Sequence, residues 1–106
     1  MIEIVKSNTF IDGKRMLPVL RDSLAELYGE HGLSLADIHP IEYGDSYVIV
    51  SCDHRMLQQV RSAVAYISRI DGAEVLLQVS IVSGTLRRLR AKMEGHNVYL
   101  SRKYPN

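Results

Sequence analysis

Apolar residues recur along this chain in two periods, and the turn residues between them lay out most of a fold. Residues 1–6 alternate, with Ile2 and Ile4 on one face, which predicts a short strand. After Asp12-Gly13, Leu17, Leu20, Leu24, Leu27 and Tyr28 fall at helical spacing and predict a helix over 14–31. Pro18 is best tolerated in a first turn, which allows a start nearer Leu17. Gly29 weakens the last turn, and Gly32 suits the C-terminal stop. A second strand is expected over 38–43, at an edge because of Pro40. Gly44-Asp45 then reads as a two-residue hairpin turn, with the return strand over 47–52. Asp53 caps a second helix over 54–70, which Asp71-Gly72 ends. Its inward stripe is Leu57, Val60, Val64 and Ile67; Arg55, Gln58, Ser62 and Arg69 occupy the opposite face. The last strand, 75–82, turns Val75, Leu77, Val79 and Ile81 inward.

The order β-α-β-β-α-β predicts an α+β, ferredoxin-like (split β-α-β) fold. Its four-stranded antiparallel sheet carries two helices on one face. A short basic C-terminal helix follows Val82-Ser83-Gly84-Thr85. Thr85 caps it, and Leu86, Leu89 and Met93 form one narrow apolar seam. Arg87, Arg88, Arg90 and Lys92 cover the rest of its surface. By alternation the other sheet face carries Val5, Tyr47 and Ile49, with Leu76, Gln78 and Ser80, which is too apolar to leave in water. The basic helix is expected to cover part of that face and a protein partner the rest. Residues 1–94 then form one domain. Residues 95–106, with Tyr99 and Tyr104 among Arg102 and Lys103, form a flexible tail able to engage a partner.

Composition supports a single globular domain: 106 residues, 46% of them apolar. No apolar run approaches the roughly 20 residues of a membrane span, and no signal-peptide core opens the chain. A single cysteine, Cys52, excludes an intrachain disulfide framework. A cytoplasmic placement, with no membrane partner, is the expectation. The net charge is only +1, but its distribution is uneven. Residues 1–53 hold four Lys/Arg against nine Asp/Glu, and residues 54–106 hold nine against three. That asymmetry implies an oriented electrostatic surface.

The candidate chemistry is therefore anion binding. Arginine and lysine on one helix displace counterions from a polyanion, and arginine forks onto phosphate. The free N–H groups after Ser83-Gly84-Thr85 are a second place for phosphate, although a turn and a helix cap account for the same residues. Arg55, Arg61 and Arg69 extend the positive surface along the second helix, with Arg61 nearer its apolar edge. Base stacking on the open sheet face is not expected, because Tyr47 lacks companion aromatics on the first strand. Catalytic signals are weak. Cys52-Asp53-His54 offers at most two close metal ligands, and His31, His39 and His96 show no zinc spacing. Cys52 alternates inward with Val48 and Val50, as a buried and inert thiol would. There is no glycine-rich phosphate loop.

Several pieces together resemble a known family. Glu26-Leu27-Tyr28-Gly29-Glu30-His31-Gly32 leads into Ile41-Glu42-Tyr43; Arg61-Ser62-Ala63-Val64-Ala65-Tyr66-Ile67 and Val82-Ser83-Gly84-Thr85-Leu86-Arg87 follow. Over about residues 14–93 these resemble the archaeal ribonuclease P protein component 2 family, which has a counterpart in eukaryotic ribonucleases P and MRP. A basic, proline-containing leader often found before the first strand in that family is missing from this sequence, and the last twelve residues match nothing in it.

The resemblance implies a protein subunit without catalytic residues, in an enzyme that removes the 5′ leader from precursor tRNA. The chemistry would lie in the ribonuclease P RNA and its Mg²⁺, with no cofactor bound by this chain. The subunit would bind and stabilise that RNA beside a TIM-barrel-like protein subunit, often in a two-plus-two assembly that brings two copies together. It would meet precursor tRNA only indirectly. Arg87, Arg88, Arg90, Lys92, Ser83, Gly84, Thr85, Arg55 and Arg69 are the expected RNA-binding residues, and Val5, Tyr47, Ile49 and Leu76 the expected partner face. The fold also admits a regulatory domain that binds a small molecule, which would need a ligand loop near residues 29–34 with convergent polar groups.

Overall fold

The structure, a computed structural model, describes the backbone of residues 2–103 and the side chains of residues 2–94. Strand β1 (Ile2–Ser7) is central, flanked by β3 (Tyr47–Ser51) and β6 (Leu77–Ser83), with β2 (His39–Gly44) outside β3. The order β2-β3-β1-β6, antiparallel throughout, is the ferredoxin-like arrangement expected. Helices α1 (Gly13–Ala36) and α2 (Leu57–Tyr66) cover one face. Helix α3 (Leu86–Lys103) packs on β1 and β6 from the other.

Two cores follow from the pleat. Val5, Val48 and Val50 point at the two helices and pack with Met16, Leu20, Leu24, Val60 and Val64. Ile4 and Ile49 point the other way and close with Leu89, and Ile2, Tyr47, Ile81, Leu86 and Met93 pack around them. Val5 therefore belongs to the helix-side core, because Ile2 and Ile4 occupy the face assigned to it from sequence.

Other boundaries moved for local reasons. Asp12 caps α1 by accepting a bond from the Lys14 amide (3.0 Å), and the helix begins at Gly13. Pro18 is inside it, where it forgoes one backbone bond. Gly29, at φ +74, breaks the helix without ending it, and Gly32 is buried in the second segment. The stop is Asp37 in the left-handed region (φ 51), its N–H bonded to the Ser34 carbonyl. The β2–β3 turn is Asp45-Ser46, one residue later than expected, with Gly44 paired to Tyr47 and Ser46 at φ 65.

The second helix is shorter than its pattern. Asp53 caps a 3-10 turn, His54–Met56, and α2 runs only to Tyr66. Asp71 and Gly72, both at positive φ, do not end a helix; they turn a small hairpin of β4 (Arg69–Ile70) and β5 (Ala73–Glu74). Asp-Gly suits such a turn because both central residues need φ > 0. On β6, one extra residue between the partners of Ile4 and Val5 forms a bulge. Leu77 and Val79 thus face α1 and α2, whereas Ile81 faces α3 rather than the inner core. The tail expected over 95–106 has side chains outside the described residues; its backbone continues α3 as far as Lys103.

Candidate nucleic-acid interface

Helix α3 is held to the sheet by its seam and by both flanks. The Thr85 hydroxyl accepts from the Arg88 amide (3.2 Å), the cap expected from sequence. Leu89 is wholly buried against Ile4 and Ile49. At about 100° per residue, Arg90 and Lys92 fall beside this seam, whereas Arg87, Arg88 and Ala91 point away from it. The contacts follow that geometry. Arg90 donates to Glu42 Oε1 (3.1 Å), and the Tyr47 hydroxyl donates to the other oxygen of the same carboxylate (2.9 Å). The bond to Glu42 raises the Tyr47 phenol above its ordinary value. On the other flank, Lys92 Nζ donates to the Val82 carbonyl (2.9 Å). Arg87 and Arg88 are exposed and form no ion pair among the described residues.

Glu42 does not stand out in the sequence, and a bulge explains why. Pro40 pairs with Val50 and Glu42 with Ile49, leaving Ile41 as the extra residue. In a regular strand Glu42 would share the face of Pro40; the bulge turns it to the face of Ile49, under α3. Pro40 is the one available signal, since it marks an edge strand where bulges concentrate.

The remaining candidates separate from this surface. Arg55 lies in the 3-10 turn, not on α2, and forks onto Asp53 (3.2 and 2.9 Å). That interaction, with the bond from the Arg55 amide, holds the Asp53 carboxyl down at about 2. Arg69 is on β4 beside Glu74 (3.6 Å), so it does not share a helix face with Arg55. Both belong to the layer opposite α3, and the structure does not join them to the basic helix in one patch. Gly84 and Thr85 are exposed, but Ser83 is buried with its hydroxyl unpartnered.

The set Val5, Tyr47, Ile49 and Leu76 does not form one face. Val5 and Ile49 are buried within the chain, Tyr47 is half-buried beside α3, and Leu76, ahead of β6, is exposed. Cys52 is buried, and burial pushes its thiol up to about 11. No group of three or more metal-ligating side chains occurs among the described residues, nor is any described helix long and apolar enough to cross a membrane. Residues 30–36 are helical, so the ligand loop required by the small-molecule reading is not formed.

Comparison with known proteins converges on one group. The profile of the Rpp14/Pop5 family matches residues 1–94. The chain belongs to the Rpp14/Pop5 family. Among curated proteins it is similar to ribonuclease P protein component 2 of Methanosphaerula palustris, at 31% identity over 91 residues, or 85% of this chain and 56% of the relative. The protein of the same name from Methanosarcina mazei is 33% identical over 70 residues, 66% of this chain and 60% of that one. The chain thus spans little more than half the length of these relatives. A chain in a cryo-EM structure of yeast ribonuclease MRP shares the fold, with a TM-score of 0.61 at 13% identity, covering 96% of this chain and 92% of that one. Within the Rpp14/Pop5 family, the matched region includes the sheet, both long helices and the basic start of α3.

Proposed function

We propose that this Rpp14/Pop5-family chain is a non-catalytic protein subunit of ribonuclease P, bound to the RNA through the outward cations of α3. The observation that carries the reading is the pair Arg87 and Arg88, exposed and free of ion pairs among the described residues on a helix docked by its opposite side. A docked helix presents charge at fixed positions, so phosphates are held without ordering a flexible segment at the moment of binding. The names of the archaeal relatives support the choice of RNA. In this reading the protein stabilises the folded RNA and supports removal of the 5′ leader from precursor tRNA. The reacting groups and Mg²⁺ belong to the RNA, and a TIM-barrel-like subunit and a second copy of this chain complete the assembly.

The test is binding to the cognate ribonuclease P RNA across a salt series, alongside cleavage of precursor tRNA by that RNA with the TIM-barrel-like subunit present. The Arg87→Glu/Arg88→Glu variant is expected to bind more weakly. Its salt slope should be smaller by about 0.7–0.9 for each phosphate no longer neutralised. Unchanged affinity and slope in a folded variant would overturn the assigned surface.

A further inference from the structure

We infer that Arg90 and Lys92 are positioning residues, not phosphate contacts, and that Glu42 is the anchor which fixes the basic helix on the sheet. The inference rests on the RNA-binding reading above and divides the helix's four cations into two pairs. Arg90 and Lys92 flank the apolar seam, and each already has a partner on the sheet: the Glu42 carboxylate on β2 and the Val82 carbonyl on β6. These are opposite edges of the four-stranded sheet, so the helix is tied on both sides. The two ties limit rolling of α3 about its seam in the free protein, so that Arg87 and Arg88 already face outward when RNA arrives. Without a tie the helix is re-seated on binding, which costs affinity while the same phosphates are neutralised in the complex.

Glu42 suits the anchoring role because both its oxygens are used. One accepts from Arg90 and the other from Tyr47, which orients the carboxylate toward the helix. The bulge at Ile41 is what brings Glu42 to this face at all. Arg90 beside an ionised carboxylate presents little net charge to an approaching phosphate, and Glu42 would repel that phosphate. Direct contact at Arg90 would therefore require breaking the pair; a positioning role keeps it.

The experiment compares neutral variants and a charge swap, using the full chain and cognate ribonuclease P RNA, with thermal unfolding to confirm that each protein is folded. Arg87→Gln and Arg88→Gln should each reduce the salt slope by about 0.7–0.9. Arg90→Gln and Lys92→Gln should weaken binding while leaving the slope at its wild-type value. Glu42→Gln should also weaken binding. Arg90→Glu should weaken it further, and Glu42→Arg/Arg90→Glu should restore affinity, since the tie is remade with the charges exchanged. A reduced slope in Arg90→Gln or Lys92→Gln, or tighter binding by Glu42→Gln, would overturn the positioning role. An unchanged slope in Arg87→Gln and Arg88→Gln would instead overturn the RNA interface itself, so the two failures are distinct.

Discussion

The charge of Arg61 on α2 offsets part of the cost of burying Glu3 on β1, yet neither carboxylate oxygen of Glu3 has a hydrogen-bond partner. Glu3 is 0% exposed, opposite Val50 and Val82 on the helix side of the sheet. Burial pushes its carboxyl up from 4.5 to about 7. A raised acid favours the folded state fully below its unfolded value and loses that contribution as pH rises through the folded value. Stability should therefore fall between about pH 4.5 and pH 7, by on the order of 3 kcal/mol for this one group. In Glu3→Gln that component is absent. Unfolding midpoints at pH 5 and pH 8 should differ less in Glu3→Gln than in the wild type. Equal differences would place the titration elsewhere.

Leu89 carries the docking of α3. It is wholly buried with Ile4 and Ile49, and no other residue of the helix reaches so deep among those described. Leu89→Ala should cost about 2–5 kcal/mol, from the transfer energy forgone and the cavity left between helix and sheet. Urea unfolding reads the difference. The same variant should bind RNA more weakly with an unchanged salt slope, because Arg87 and Arg88 neutralise the same phosphates once bound and the cost is that of seating a loosened helix.

Asp53 is the acid-side counterpart of Glu3. It accepts from the Arg55 amide and from Nε and Nη2 of the Arg55 guanidinium, and its carboxyl is held at about 2 against an ordinary 3.8. A lowered acid contributes stability above its unfolded value and loses it as pH falls through the folded value. Asp53→Asn should thus be less stable at neutral pH, and its deficit should shrink as pH falls from about 4 toward 2. Acid titrations followed by circular dichroism check this, and a constant deficit would mean that the cap acts through geometry alone.

The fold is legible where periodicity and turn chemistry agree. Strand β1, the Leu17, Leu20 and Leu24 part of the α1 stripe, the β2–β3 hairpin and the Thr85 cap follow from local patterns. Leu27 and Tyr28, expected in the same stripe, are exposed, and Met16 and Ser23 are buried instead. Legibility ends where one residue changes the register. The bulges at Ile41 and before Ile81 reverse which face a strand presents, and alternation counts cannot see an inserted residue. The same limit hides Glu42 and misplaces Ile81. Val5 falls on the wrong face in the sequence reading because Val, Ile and Leu look alike from either side of a sheet whose two faces are both buried. Asp71-Gly72 reads as a helix stop in the sequence, since the stripe through Ile67 continues past the point where α2 ends. Of the basic residues, the α3 cluster is visible as composition, while the pairing of Arg69 and Arg90 is set by which strands the fold brings beside them, and that of Arg55 by the 3-10 turn that Asp53 caps.

Two glycines separate steric from conformational need. At Gly13 an added Cβ would collide with the backbone oxygen of Tyr47 and come within 2.9 Å of the Gly44 oxygen. Those atoms belong to the turn end of the β2–β3 hairpin, where Asp12 also bridges to Asp45. Neither is a flexible side chain, so Gly13→Ala must push the start of α1 away from the hairpin. At Gly72 nothing lies within 4 Å of an added Cβ, and the cost arises only from φ +82. Gly72→Ala should lose roughly 1–2 kcal/mol, the penalty of a left-handed conformation. Gly13→Ala should lose more, despite the good helix propensity of alanine. Urea unfolding of both variants gives the comparison. A smaller loss at Gly13 would show that α1 can slide along the hairpin, and the close approach of helix and turn would then not be what sets the helix start.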